Sequence, residues 1–493
     1  MRWLAAFVAG SLGVLAFAPF GWILASFVSL GGLVYLLERT PGARSGFAPG
    51  FVWGLGYFVA GVSWLYVALE RYGGMQPPLA AAAILLFCAY LALYPALAGA
   101  CYLRWRRGGP YARAAWFAVL WFLSEWLRGW IFTGFPWLAA GYAHTPPSPL
   151  AGYISLIGVY GTGAVVALLA ALLVLVLMRW REVRAKNAAV LALVLCGVLG
   201  LSWAGRQSRV EPEGEALKIS LVQTNVEQAL KWNPAHYREV LTTALELVHA
   251  AQGDVVVLPE SALPALVDRL PGGYLEQLSA PVVARGGALV TGVFVSDAEA
   301  RIYNAAVSVG AGARQHYAKR HLVPFGEYSP PFFGWFYQLA HIPMSDQSRG
   351  AAAQPPLNLL GRQIALNICY EDVFGDELID RLPAAGLMLN LSNLAWYGDS
   401  FAQAQHLQIA QVRAMESGRP MLRSTNTGMT ALVLPDGTVA ASLPAFTRGV
   451  LEVAVPAYRG LTPYARWGDW PMLVLAWGGV AGVLLSRKIM RGH

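Results

Sequence analysis

Apolar residues in this chain are gathered rather than scattered, and that distribution limits what it can become. Apolar runs fall at about residues 3–19, 21–37, 51–69, 79–103, 114–132, 159–178 and 187–204, and one more at 471–485. A helix crossing a bilayer needs ~20 such residues. Most of these runs meet that length, and the first and last are short. Ala16-Phe17-Ala18 has the small-x-small form of a signal-peptide cleavage site. The apolar run that follows at once favours two retained spans joined by a tight turn. The chain is 56% hydrophobic and only 13% charged, against about 25% charged in soluble domains.

Charge divides the chain the same way. Residues 206–466 carry 20 basic and 23 acidic side chains, whereas the remainder carries 16 basic and 5 acidic. The mild acidity of the middle argues against a nucleic-acid partner, which would want clustered basic charge there. The basic excess belongs to the apolar part and sets its orientation. Arg39 and Arg44 lie between runs two and three. Arg104, Arg106, Arg107 and Arg113 lie between four and five. Arg179, Arg181, Arg184 and Lys186 lie between six and seven, and Arg487, Lys488 and Arg491 close the chain. Basic loops stay in the cytoplasm, so both termini are expected there and residues 206–466 outside.

That middle segment alternates short strands with helices. Strands are expected at 218–222, 255–258, 288–295, 305–309, 364–368, 387–391 and 430–434, and helices at 237–250 and 401–416. The pattern is that of an α/β layered domain. Three polar residues stand at or just after strand ends. Glu260 follows Leu258-Pro259, Lys319 sits in Tyr317-Ala318-Lys319-Arg320-His321, and Cys369 ends Asn367-Ile368-Cys369-Tyr370-Glu371. Of four cysteines, Cys88, Cys101 and Cys196 fall in apolar runs, where a small core residue is the plain reading. Cys369 has no disulfide partner in its domain and no metal-ligand spacing. His316, His321, His341 and His406 show no metal spacing either. A thiol is a nucleophile only as thiolate, so Cys369 needs a base and a group to hold a developing oxyanion.

Glutamate, lysine and cysteine in this order and context resemble the nitrilase, or carbon–nitrogen hydrolase, superfamily. The chain as a whole resembles its membrane-bound branch, the apolipoprotein N-acyltransferases. The stretches that carry this are Glu125-Trp126-Leu127-Arg128-Gly129-Trp130, Gly134-Phe135-Pro136-Trp137, His321-Leu322-Val323-Pro324-Phe325-Gly326-Glu327, Asn367-Ile368-Cys369-Tyr370-Glu371 and Leu461-Thr462-Pro463-Tyr464-Ala465-Arg466. The resemblance implies a polytopic α-helical membrane domain of about eight spans plus an α/β nitrilase-like αββα sandwich. The expected division is 1–205 for seven spans, 206–466 for a periplasmic catalytic domain and 467–493 for the last span and tail.

It also implies an enzyme of the bacterial inner membrane. The activity is transfer of an acyl chain from a phospholipid, with phosphatidylethanolamine the expected donor, to the α-amine of a diacylglyceryl-cysteine on an apolipoprotein. A Cys369 thioester would carry the acyl group, with no metal and no cofactor. Glu260, Lys319 and Cys369 are the expected catalytic residues. Glu327, Tyr370 and Glu371 are the supporting ones. Trp232, Trp396 and Tyr397 are expected to contact substrate, the first as a rim or lid. Position 394, usually an aspartate in the family, is Leu394, and position 397, usually phenylalanine, is Tyr397. Glu125 and Arg128 share a helix face. They are read either as an ion pair reaching to the interface or as the polar floor of a headgroup pocket, and the resemblance favours the pocket. The alternative reading of the whole is a membrane-anchored amidase that uses water as acceptor.

Overall fold

The computed structural model describes residues 1–42, 45–179, 184–207, 209–310, 312–330 and 346–489. Arg44, Arg181, His341 and Arg491 lie outside them. Two compact units form: a helical one of Met1–Ser63, Ala81–Ser208 and Pro463–His493, and a sheet-containing one of Arg209–Thr462 together with Trp64–Ala80.

In the helical unit, Arg2–Leu12, Leu24–Glu38, Phe47–Val62, Pro110–Arg128, Gly152–Met178, Arg184–Arg206 and Trp470–Ile489 are helical, as is Pro77–Trp105 from Ala81 on. By length and composition two of the described helices can cross a membrane, Pro77–Trp105 and Gly152–Met178. A third counts if Phe47–Val62 and Leu65–Tyr72 are one bent span, and Arg2–Ala16, Leu24–Glu38, Val190–Arg206 and Trp470–Leu485 are shorter apolar helices. Small residues set how closely helices approach, as is usual where oil is the solvent. A Cβ at Gly50 would lie 2.4 Å from the Pro95 carbonyl oxygen, and one at Gly46 would lie 2.3 Å from that of Gly99. Spaced by four residues on one face, these glycines let the helix Phe47–Val62 lie directly against the helix carrying Pro95.

The sheet unit holds thirteen described strands: β1 (Val210–Gln223), β2 (Val255–Val257), β3 (Leu263–Leu266), β4 (Ala288–Ser296), β5 (Ile302–Gly310), β6 (Gln315–Ala318), β7 (Leu357–Leu359), β8 (Arg362–Ile368), β9 (Leu387–Ser392), β10 (Met421–Thr425), β11 (Ala431–Val433), β12 (Val439–Ser442) and β13 (Gly449–Gly460). One sheet runs β13-β1-β2-β4-β5-β6, with β3 paired to β4, and the other β12-β11-β10-β9-β8-β7. Side chains alternate across each strand. Ile219, Leu221, Val255, Val257 and Val290 of the first sheet share one core with Ile364, Leu366, Ile368, Leu387, Leu389, Leu391 and Leu422 of the second. The residues between them point the other way. Val222, Val256 and Leu289 pack on the helices Tyr237–Ala250 and Tyr274–Val283. Ala365, Met388 and Met421 pack with Leu378 of the helix Gly375–Ile379 and Leu407 of the helix Ala402–Ser417. The result is an αββα sandwich. Its central strands are apolar on both faces, as buried parallel strands require. The pairs β1–β2, β2–β4, β8–β9 and β9–β10 are parallel, so several strands deliver their carboxyl ends to one edge, where open α/β sheets place ligands.

Candidate active site

Each expected catalytic residue leaves a strand at that edge. Glu260 follows β2, Lys319 follows β6 and Cys369 follows β8. Cys369 opens the 3₁₀ turn Cys369–Val373 and has φ of 53°. A non-glycine residue held there costs on the order of 1 kcal/mol or more and persists only when its surroundings fix it. They do. The Glu371 Oε2 accepts the Ile368 N–H at 2.6 Å. Its Oε1 accepts the N–H groups of Arg320 (2.6 Å) and His321 (3.1 Å), and the Tyr317 hydroxyl donates to both oxygens. One buried carboxylate thus ties the turn after the nucleophile to the strand and loop that carry Lys319. Tyr370 is buried, its ring 5.2 Å from that of Phe374.

The acid–base cluster is compact. The Lys319 Nζ lies 2.7 Å from Glu327 Oε1 and 3.3 Å from Glu260 Oε1, and its side chain is fully buried. Asn304 Nδ2 donates to both carboxylates, at 2.8 Å to Glu260 and 3.1 Å to Glu327. The Asn393 N–H donates to Glu260 Oε2 at 2.8 Å, and the Val323 N–H to Glu327 Oε2 at 2.7 Å. Burial opposes the Lys319 ammonium, but Glu260 and Glu327 outweigh it and hold its pKa well above the usual value. Lys319 is therefore a permanent cation. Burial pushes the Cys369 thiol well up, and Glu260 adds to that while Lys319 opposes it. Cys369 therefore rests as the neutral thiol.

Behind the cysteine lies a second buried network. Arg423 Nη1 donates to Asp372 Oδ2 at 3.0 Å and its Nη2 lies 3.0 Å from His406 Nδ1. A guanidinium only donates, so Nδ1 accepts, and the His406 proton sits on Nε2, 2.7 Å from Asp372 Oδ1. Burial lowers the His406 pKa and agrees with the neutral ring. Asn390 Nδ2 donates to the Cys369 carbonyl at 3.3 Å.

The expected substrate residues separate. Trp232 is 46% exposed, its ring 5.7 Å from Phe294. Trp396 is exposed and 5.9 Å from Tyr72, and Tyr397 is 4.6 Å from Trp64. Trp64 also donates its indole N–H to Gln405 Oε1 at 3.2 Å. The segment Trp64–Ala80 thereby backs both aromatics. Burial raises the Tyr397 pKa, as does the charge of Cys369. Leu394 is buried.

Glu125 and Arg128 belong to the helical unit, and they do not form the interfacial ion pair of the first reading. Both are 3% exposed, and among the described residues they form no ion pair. Arg128 Nη1 donates to the carbonyls of Phe135 (2.6 Å) and Trp137 (2.7 Å), and Glu125 Oε1 accepts the Ala140 N–H at 2.7 Å. They do not reach for water; they hold backbone.

Asn304, Asn390, Asn393 and the Asp372–His406–Arg423 network were not found by sequence reasoning. Asn390 and Asn393 carried a signal, since both flank the end of an apolar strand. Asn304 carried none.

Comparison with known proteins adds the following. Residues 9–172 match the family described as apolipoprotein N-acyltransferase N-terminal domain, and residues 218–464 match carbon-nitrogen hydrolase. The apolipoprotein N-acyltransferase of Nitrosomonas europaea is 43% identical over 95% of this chain and 94% of its own. That of Chromobacterium violaceum is 42% identical over 99% and 93%, and that of Pseudomonas putida 40% identical over 98% and 99%. Among solved structures, an amidase from Nesterenkonia sp. AN1 aligns with 54% of this chain and 99% of its own, at 20% identity and a TM-score of 0.40. With relatives of one kind matching nearly end to end, this chain belongs to the apolipoprotein N-acyltransferase family.

Proposed function

We propose that Glu260, Lys319 and Cys369 perform phospholipid-dependent N-acylation of apolipoproteins in two half-reactions. Glu260 takes the Cys369 proton as Sγ attacks the ester carbonyl of a phospholipid, with phosphatidylethanolamine the donor. Lys319, a fixed and permanently charged donor, and a backbone N–H stabilise the tetrahedral oxyanion. The lysophospholipid oxygen leaves with the proton from Glu260, and a thioester remains on Cys369. The α-amine of the diacylglyceryl-cysteine then attacks, Glu260 accepts its proton, and the amide departs as the thiol is restored. Glu327 keeps Lys319 charged and placed. Tyr370 and Glu371 hold the turn. Trp232, Trp396 and Tyr397 contact the lipid chains, and Glu125 and Arg128 serve the membrane part by shaping the turn around 135–140. In this reading eight spans sit in the bacterial inner membrane, the sheet unit is periplasmic and both termini are cytoplasmic.

The observation that carries the reading is the buried cluster itself: a protonated thiol at a strained strand end beside a base and a permanent cation. Two bulky lipids share one nucleophile, and a thioester lets one leave before the other binds. Intact mass after incubation with phosphatidylethanolamine alone should show one added acyl chain, removed by hydroxylamine and absent in Cys369→Ala. Normal transfer with no such adduct, and intersecting rather than parallel initial-rate lines, would establish direct transfer instead. An adduct that is discharged only to water, with no amide formed when a lipoprotein is supplied, would favour the amidase.

A further inference from the structure

A second lysine stands beside the catalytic cluster. Lys231 ends the short helix Gln228–Lys231 and is 3% exposed, although its neighbour Trp232 lies open to solvent. Its Nζ donates to the backbone carbonyl of Glu260 at 3.0 Å. From the same helical turn, Gln228 Oε1 accepts from Asn393 Nδ2 at 2.8 Å, and the Asn393 N–H binds the Glu260 carboxylate. One turn of helix therefore holds Glu260 from two sides, at its carbonyl and at its carboxylate.

The two lysines differ in what balances them. Lys319 has two carboxylates within 4 Å, whereas Lys231 forms no ion pair among the described residues. An ammonium has three donors, and the one described bond leaves two unspent in a buried place. Glu260 and Cys369 are the titratable groups that act on Lys231. Glu327 and Lys319 lie one step further, across the Glu260 carboxylate. Glu227, Arg238 and Glu239, on its own and the following segments, are solvent-exposed, and His236 is half-buried. Counting charges gives Lys231 its task. With the thiol neutral, Glu260, Glu327 and Lys319 sum to one negative charge. A protonated Lys231 makes the buried group neutral, whether the negative charge then rests on Glu260 or on sulfur.

We propose that Lys231 is a titrating positioning residue of the active site, which acts on Cys369 by holding Glu260 in place and by neutralising the buried cluster while it is charged. Burial lowers its pKa to about 8, against the opposing pull of Glu260 and Cys369. Below that pH the ammonium is present and thiolate formation at Cys369 is favoured. Above it the cluster carries a net negative charge and the thiol becomes harder to ionise.

This rests on Glu260, Lys319 and Cys369 being the catalytic group, and its test needs no lipid. Full-length enzyme in detergent is alkylated with iodoacetamide from pH 6 to 10. Modification of Cys369 is followed by peptide mass spectrometry, with Cys369→Ala as the blank for the other cysteines. In the unsubstituted enzyme the rate should climb with pH and bend to a shallower slope near pH 8. Lys231→Met should react about tenfold more slowly at pH 7, climb without a bend, and converge with the parent enzyme at high pH. Lys231→Arg keeps its charge throughout. It should match the parent enzyme at pH 7 and show no bend. A bend that persists in Lys231→Met, or a uniform slowing of that variant at every pH, would overturn the proposal and leave Lys231 as scaffold. Failure of acyl transfer with these profiles intact would instead fault the assigned reaction.

Discussion

Two buried glutamates, one in each unit, keep company with a cation and end differently. Glu125 and Arg128 lie three residues apart on one helix, and Glu260 and Lys319 meet from different strands. The first pair turns to backbone: Arg128 binds two carbonyls and Glu125 Oε1 one N–H, each answering backbone left unpaired by the irregular chain after the helix. The second pair bonds to itself and to Glu327 beside Cys369, each carboxylate also accepting one backbone N–H. Burial and charge are common to both. What separates a site from a clamp is whether the polar atoms face backbone or one another. A charged group held by other side chains can change its partner when substrate arrives, whereas a guanidinium bonded to two carbonyls, as Arg128 is, is part of the wall.

Removing the cation should therefore have opposite consequences in the two places. Lys319→Met should keep the thiol but lose a charged oxyanion donor, lowering the acylation rate by about 10²–10³. It also removes the ammonium that bonds both carboxylates. The measurement is the rate of adduct formation by mass, with the alkylation of Cys369 as a check that the thiol is intact. Near-normal acylation would move the oxyanion role to another group and dissolve the distinction drawn above.

Glu371 tests the boundary between clamp and site, because it is bonded to backbone yet lies next to the nucleophile. In Glu371→Gln the amide end meets N–H donors it cannot accept from. The Ile368 N–H or the Arg320 and His321 N–H groups then lose their partner. The expected cost is roughly 2–3 kcal/mol in unfolding free energy, with a fall of about tenfold in acylation as the Cys369 turn slackens. A variant with lowered thermal stability and unchanged acylation would place Glu371 wholly on the structural side.

The sequence showed the framework well where patterning is forced by burial. The helix at 237–250 falls as expected, and β4, β8 and β9 lie within a residue or two of the expected runs, because a strand apolar on both faces has one reading. β10, Met421–Thr425, escaped because Arg423 and Ser424 interrupt it, and both are polar groups buried in networks. β13 escaped because alternation on an edge strand resembles surface. Residues 64–69 read as the end of one span and 79–80 as the start of the next, and no local pattern could place Trp64 on Gln405 and Tyr397. In the site, Glu260, Lys319 and Cys369 were legible because each ends or follows an apolar strand within a familiar order. Asn304 was not, since one asparagine inside a strand looks like any other. Lys231 was passed over because a lysine before an exposed tryptophan reads as surface, and only the fold turns it inward.

The smallest effect on catalysis is expected at Arg128, and it is the one that can most readily break the comparison. Its guanidinium gathers the Phe135 and Trp137 carbonyls of the chain after the helix Pro110–Arg128, and it lies over the Phe58 ring at 5.2 Å. Arg128→Ala leaves two carbonyls without their donor and removes a buried positive charge three residues from Glu125. Breaking a buried charge arrangement in this way costs roughly 3–5 kcal/mol, so thermal unfolding in detergent should shift down clearly. The fraction that remains folded should acylate Cys369 within about threefold of the parent enzyme, with little change in the phospholipid concentration needed for half-maximal rate. Arg128→Lys is the sharper variant. It keeps the charge but lacks the planar guanidinium that lies over the Phe58 ring while its Nη1 meets both carbonyls, so it should recover only part of the stability. The opposite pattern, unchanged thermal stability with a phospholipid requirement raised tenfold or more, would show that the guanidinium meets a headgroup. Glu125 and Arg128 would then form a site, and backbone bonding would no longer mark a clamp.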